Sequence, residues 1–235
     1  MKTFMKKREI ITTKDGSKTL KINELNECYH SSHGALQEAE HVFIKNGLNL
    51  IKKSEINILE MGFGTGLNVL VTFAQFLKNL TPLKINYFGI EKYPVSEAEM
   101  VSLGYETLFS DEKVKDFHQK VHHSEWEKLI EIVPHFSLKK INADFFDVDK
   151  LDLPEIDLVY YDCFGARVQP DLWEKPLFEK VVRVMNDDAL LTTYSSKGSV
   201  RRTLQELGLK VEKKVGPPGK REMLNAWKDK DTSDK

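Results

Sequence analysis

The apolar positions along this chain change period several times, and each change marks an element. Over "REIITTKDGSKTLKI" two β-prone runs flank Asp15-Gly16, the chemistry of a tight turn, and predict an N-terminal hairpin. In "CYHSSHGALQEAEHVFIKNGLNLI", Leu36, Ala39, Val42 and Phe43 recur at helical spacing and predict a helix leading towards Lys52-Lys53. "INILEMG" reads as a buried strand and "LNVLVTFAQFLKNL" as a helix closed before Pro82. "LKINYFGIEK" is the next strand, "VSEAEMVSLGY" and "EWEKLIEIV" read as helices, and "FSLKKINADFF" and "EIDLVYYDCF" read as further strands. In "PDLWEKPLFEKVVRVM", Trp173, Leu177, Val181 and Val184 fall near one helical face. The strand "ALLTTYSS", the helix "KGSVRRTLQELG" and the strands "LKVEKKVG" and "REMLNAWK" complete the pattern.

Strands alternating with helices predict a mostly parallel sheet with helices on both faces, because parallel neighbours need crossovers. The last two strands break the rule. Only "GPPGK" joins them, too short for a crossover helix, so they should pair antiparallel. The expectation is a Rossmann-like α/β fold with a seven-stranded sheet whose last strand is antiparallel. It occupies residues 51–228, preceded by a hairpin-and-helix extension over 1–50 and followed by a tail, 229–235, of disordered composition.

Composition narrows the class. Hydrophobic residues are 40% and charged residues 30%, no apolar run approaches a membrane span, and the start "MKTFMKKREIITTKDG" has no secretory core, so a cytoplasmic address is expected. Cys28 and Cys163 lie far apart without a CxxC pattern, and His30, His33, His122 and His123 form no ligand set with a carboxylate, so no metal is expected. The net charge of -1 hides an asymmetry: Lys197–Lys228 holds nine Lys/Arg against three Glu, and Asp144–Asp188 five Lys/Arg against twelve Asp/Glu.

Between the first buried strand and its helix stands "LEMGFGTGLN", with Gly62, Gly64 and Gly66 at the edge where such folds bind ligands. A nicotinamide enzyme would show G-x-G-x-x-G, and a P-loop would continue into Gly-Lys-Ser/Thr; neither is present. Glu60 before the turn would repel a pyrophosphate but hold a ligand carrying an amino group. S-adenosyl-L-methionine (SAM), cationic and free of phosphates, fits this pattern. Glu91, Asp144 and Asp162 end the next three parallel strands, placed for ribose hydroxyls, the adenine amino group and the transferred methyl group.

The segments "YHSSHGALQEAEHVFI", "LEMGFGTGLNVL", "YFGIEKYP", "DCFGARVQPDLW" and "GPPGKREML" together resemble the methyltransferase half of the bifunctional tRNA 5-methylaminomethyl-2-thiouridine biosynthesis family, over about residues 20 to 227. The resemblance implies a class I SAM-dependent methyltransferase fold and methylation of the aminomethyl group on carbon 5 of a wobble uridine in tRNA. It also implies a stand-alone form without the family's FAD-dependent oxidase, supplied with substrate by the enzymes that install the aminomethyl group. By the motif match, Glu60, Gly62, Phe63, Gly64, Thr65, Gly66 and Asn68 would line the cofactor. Glu91 with Lys92 would hold its ribose, and Asp144 with Phe145 its adenine side. Asp162 would face both the cofactor and the acceptor. Where the family commonly reads F-A-P after that acid, this chain has Phe164-Gly165-Ala166, which predicts a looser loop.

A free alkylamine is mostly protonated at neutral pH, so Asp162 is expected to aim its lone pair or relay its proton. Phe164, Trp173, Tyr29 and His30 are candidates for holding a splayed anticodon base, with core packing the rival role for Trp173. Arg201, Arg202, Lys220 and Arg221, together with Lys213 and Lys214, are candidates for tRNA phosphates or simply a solvated face. Rival functions remain at this level: a SAM-dependent methyltransferase of small amines, a non-catalytic tRNA-binding partner and, as an outsider, a nicotinamide oxidoreductase.

Overall fold

The protein's computed structural model describes residues 7–29, 34–79 and 81–229. The Asp15-Gly16 turn joins β1 (Arg8–Thr12) to β2 (Lys18–Ile22) as an antiparallel hairpin, with Gly16 at a φ of 85°. A short β3 (Glu27–Cys28) pairs with β2, so the predicted hairpin is a three-stranded sheet. Helix α1 (Ala35–Ala39) continues into a π-helical stretch, Glu40–Lys45, where the Asn46 N–H reaches the His41 carbonyl, one residue wider than an α-turn. That helix stops before Gly47, short of the expected Lys52-Lys53. His30 and His33 and the tail beyond residue 229 lie outside the described residues.

The main sheet follows. Its elements are β4 (Glu55–Met61), α2 (Leu67–Lys78), β5 (Lys84–Ile90), α3 (Glu97–Leu103), α4 (Glu112–His123), β6 (Ile130–Val133), β7 (Phe136–Ile141), β8 (Ile156–Tyr161), α5 (Lys175–Val184), β9 (Met185–Thr193), α6 (Gly198–Glu206), β10 (Leu209–Val215) and β11 (Glu222–Lys228). The strand order is β10-β11-β9-β8-β4-β5-β7-β6. β4, β5, β7, β8 and β9 run parallel, and β11 lies antiparallel between β9 and β10. The sheet has eight strands rather than the predicted seven. The extra one, β6, occupies part of "EWEKLIEIV", read from sequence as a helix. Ile130, Glu131 and Ile132 instead alternate in exposure, and the Pro134-His135 turn, with His135 at a φ of 69°, folds β6 back against β7.

Side chains of β4 alternate between two cores. Ile56 and Ile58 join Phe43, Phe73, Phe117, Phe136, Tyr87 and Tyr160 on one face, and Leu59 and Met61 join Phe88, Val159, Tyr161 and Phe178 on the other. The first core is aromatic at its centre: the rings of Phe73 and Phe117 stack with centroids 3.9 Å apart, and Phe136 meets both edge-on. The reversal point of the strand order lies where β4 meets β8, and a ligand is expected at the carboxyl edge there. Among the described residues no helix is long and apolar enough to cross a membrane. Because Phe73 is fully buried among three other rings, Phe73→Ala is expected to lower unfolding stability by about 3–5 kcal/mol in urea denaturation, with the far-ultraviolet spectrum of the folded state unchanged.

Candidate active site

The chain leaves β4 at Met61 and turns under its own backbone. The N–H groups of Gly62 and Phe63 both donate to the Ile90 carbonyl, at 3.1 and 2.9 Å, which ties the turn to the end of β5. Gly62, at a φ of 102°, passes so near β8 that an added Cβ would stand 2.7 Å from the Asp162 carbonyl oxygen. Only glycine fits there. A mid-strand glycine that the turn itself did not announce completes the fit: a Cβ on Gly89 would lie 2.2 Å from the Phe63 ring.

A cavity of about 350 Å³ opens above this edge. Glu91 forms one wall and is pinned by both oxygens, accepting from the Gly64 N–H at 3.0 Å and the Tyr93 N–H at 2.8 Å. Burial nevertheless raises its pKa, against those two hydrogen bonds. Lys92 is paired with Asp144, whose other oxygen caps the short helix Phe145–Lys150 through the Phe146 N–H. Phe145, Phe146, Val168, Pro170 and Leu172 supply apolar surface. Among the described residues, four acids, Glu91, Asp144, Asp162 and Asp171, line the cavity against the single cation Lys92. The lining therefore favours a ligand that brings positive charge and carries no phosphate.

Asp162 ends β8 in this cavity. Its Oδ2 accepts from Asn68 Nδ2 at 2.8 Å, and the same amide donates its other hydrogen to Glu60 Oε1 at 2.7 Å. Tyr87 donates its hydroxyl to Glu60 Oε2 at 2.8 Å. Burial pushes the Asp162 carboxyl up to about 7, opposed by the Asn68 hydrogen bond and the Lys220 ammonium and reinforced by Glu38. Glu60, wholly enclosed, is held well above the usual carboxylate range by burial, against its bonds from Tyr87 and Asn68. Tyr29 and Phe164 meet edge-to-face at 5.0 Å beside Asp162, both at the cavity wall.

The structure thus brings Gly62, Phe63, Gly64, Glu91, Lys92, Asp144, Phe145, Asp162, Tyr29 and Phe164 to one cavity. It moves others away from it. Glu60 and Asn68 are buried beneath the floor and act on Asp162 rather than lining the cavity. Thr65 is buried towards Tyr105, and Gly66 starts α2. Trp173 is core: it packs on Tyr161 and Tyr194 and donates Nε1–H to the Phe164 carbonyl at 2.7 Å, so it offers no face to a base. Lys220 points inward, paired with Glu38 and 3.9 Å from the centre of the Tyr194 ring. Lys213 and Lys214 pair with Glu222 and Glu212, and Arg201 is half-buried, while Arg202 and Arg221 are exposed.

The loop after Asp162 is firmer than its glycine suggests. Tyr194 donates to the Cys163 carbonyl at 2.8 Å, Val168 and Gln169 N–H groups donate to the Gly165 carbonyl, and Arg167 pairs with Glu27. A Cβ on Gly165 would make only ordinary contacts. Burial raises the Cys163 thiol well above its ordinary pKa, which keeps it a thiol and removes it as a nucleophile. Among the described residues no group of three or more His, Cys, Asp or Glu is placed to hold a metal ion. Sequence reasoning missed Tyr93, Phe146, Val168, Gln169 and Pro170 as lining residues, and only the glycine inside "YFGIEK" signalled the Phe63 seat.

Comparison with known proteins agrees with this chemistry. The chain is 31% identical over 216 residues to the tRNA 5-methylaminomethyl-2-thiouridine biosynthesis bifunctional protein MnmC of Leptospira interrogans, covering 86% of this chain and 32% of that protein. It is likewise 31% identical over 214 residues to the protein of the same name from Burkholderia pseudomallei, covering 84% of this chain and 32% of that protein. The chain spans about a third of the length of these relatives. The crystal structure of MNMC2 from Aquifex aeolicus superimposes with a TM-score of 0.77 at 25% identity, over 95% of this chain and 71% of that one. A probable spermidine synthase from Corynebacterium glutamicum shares the fold at a TM-score of 0.52 and 13% identity, over 95% of this chain and 77% of that one. Residues 111–229, just over half of the chain, match the S-adenosyl-L-methionine-dependent methyltransferase family. With the glycine turn, the acid-lined cavity and that match in agreement, the chain belongs to the S-adenosyl-L-methionine-dependent methyltransferase family, and SAM is its cofactor.

Proposed function

We propose that the protein transfers a methyl group from SAM to the primary amine of a 5-aminomethyl group on the wobble uridine of tRNA. The role in tRNA 5-methylaminomethyl-2-thiouridine biosynthesis that the MnmC relatives are named for supports this acceptor, and the observation that carries it is Asp162, a carboxyl poised near neutrality beside the Tyr29–Phe164 pair.

The cavity suits the cofactor. Its excess of acids over one already paired lysine fits a ligand with a cationic centre and an amino group, and Gly62 lets the turn pack directly against the Asp162 backbone in the cavity lining. When bound, SAM supplies a methyl group on a positively charged sulfur. Glu91 holds the ribose side, with Asp144 and Phe145 on the adenine side, and Gly62 and Gly64 keep the turn open beneath the rest.

Asp162 meets the acceptor. An alkylammonium has no lone pair to offer, so the amine must lose a proton before or during attack. A carboxyl titrating near 7 can accept that proton at neutral pH, and Asn68 fixes which oxygen faces the cavity by binding the other. Burial beside Tyr29 and Phe164 further favours the neutral amine. The two rings are suited to the flat face of a base pulled from the anticodon loop. Arg202 and Arg221, both exposed, are the candidates for phosphate contacts.

Mass spectrometry of nucleosides from tRNA bearing 5-aminomethyluridine, incubated with protein and SAM, is expected to show conversion to 5-methylaminomethyluridine. Methylation of free amines with the tRNA unchanged would favour the small-molecule reading. Asp162→Ala is expected to keep SAM binding and lose about 100-fold or more in transfer rate.

The raised Asp162 pKa also sets a stability signature. In the unfolded chain the carboxyl titrates near its ordinary value of 3.8, in the folded protein at about 7, so the folded state binds the extra proton and loses stability as pH rises between these values. Asp162→Asn should therefore match the wild type below pH ~4, gain on it progressively towards pH ~7, and exceed it above by on the order of 2–4 kcal/mol. Denaturant melts across this range would read the difference directly.

A further inference from the structure

Arg8, on β1 of the small N-terminal sheet, lies outside the stretch that matches the methyltransferase family, yet its side chain reaches the cofactor edge of the main sheet. Nη2 donates to the Tyr93 carbonyl at 2.7 Å and Nη1 to the Pro94 carbonyl at 3.3 Å, which fixes the loop that follows Glu91. Nη1 also pairs with Glu99 at 3.2 Å, and Glu99 closes the capping box of α3 with Ser96. The guanidinium stands 5.6 Å from the centre of the Tyr29 ring, and that ring packs on Gly64 so closely that a Cβ there would be 3.2 Å away.

These contacts close on themselves. Arg8 holds the Tyr93 carbonyl; the Tyr93 N–H holds Glu91; Glu91 holds the Gly64 N–H; Gly64 supports Tyr29; and Tyr29 lies against Arg8. We propose that Arg8 is a positioning residue for SAM: through this ring of contacts it sets the distance between Glu91 and the glycine turn, so that the N-terminal sheet is a working part of the cofactor site. The arginine side chain is 11% exposed, and its bond to Glu99 is partly buried while the two carbonyl bonds lie at the surface. The planar fork matters. One guanidinium bridges two carbonyls and a carboxylate at once, a geometry that an ammonium cannot reproduce.

The proposal concerns the cofactor alone and holds for any acceptor. Calorimetric titration of SAM into the full chain tests it without a methyl acceptor. Arg8→Ala is expected to weaken SAM binding by about 10- to 100-fold, the range for lost hydrogen bonds to a charged group. Arg8→Lys should recover part of that loss. Lys18→Ala removes another tie of the same sheet, from Lys18 Nζ to the Ser102 carbonyl at 2.9 Å, without touching the ring of contacts. It should leave the SAM affinity unchanged even if the melting temperature falls. Wild-type affinity in Arg8→Ala overturns the proposal, and so does an equal loss in Lys18→Ala, which would trace the effect to general loosening of the sheet. Should Arg8→Ala not fold, Arg8→Lys decides: wild-type affinity there overturns the proposal, and weakened affinity with Lys18→Ala unaffected supports it.

Discussion

A carboxylate enclosed on every side must be neutralised or fully hydrogen-bonded, and Glu60 imposes that requirement on the centre of this structure. It draws the Tyr87 hydroxyl from β5 and the Asn68 amide from α2, and the second hydrogen of that amide is thereby left pointing at Asp162, the residue after β8. Three elements are locked to β4 by one buried acid. The acid does not touch the cavity, but the orientation of the carboxyl that does is a consequence of it. Electrostatics adds to the geometry: Glu60 and Asp162 cannot both carry a charge cheaply so near each other, and burial raises both.

Much of the fold was legible because its signals are local. The strand-glycine-helix succession at Met61–Asn68, the period-two runs of β4, β5 and β8, and the short "GPPGK" link each point to one topology. The misreading of Ile130–Val133 has a physical cause. A run of four residues with mixed polarity does not distinguish a helical face from a strand until the turn at Pro134-His135 and the partner strand β7 are known. The π-helical stretch at Glu40–Lys45 was equally hidden, since apolar spacing does not report a one-residue widening.

The site was legible at strand ends and illegible elsewhere. Glu91, Asp144 and Asp162 could be found because each follows the end of a parallel strand, Asp144 three residues beyond β7, where the fold itself points side chains at a ligand. Whether an acid or a lysine faces the ligand or a neighbour depends on long-range pairing: Lys220 meets Glu38, 182 positions away, and Trp173 turns its indole N–H to the Phe164 carbonyl. Arg8 shows the same limit, because nothing in "REIIT" announces contact with a loop some 85 residues later. Charge counted along a sequence overstates the basic face for this reason. Three of its lysines are already paired: Lys213 with Glu222 on the neighbouring strand, Lys214 with Glu212 on its own strand and Lys220 with Glu38 of α1.

The placement of β11 carries a consequence for how the sheet comes apart. β10 precedes β11 in the chain but is paired only to it, while β11 alone reaches β9. The outer strand therefore takes its whole ladder pairing from its successor. Any fluctuation that frees β11 from β9 carries β10 away with it as a hairpin, so the two strands form one opening unit whose amides lose protection together, while the β9–β8–β4 ladder beneath can stay closed.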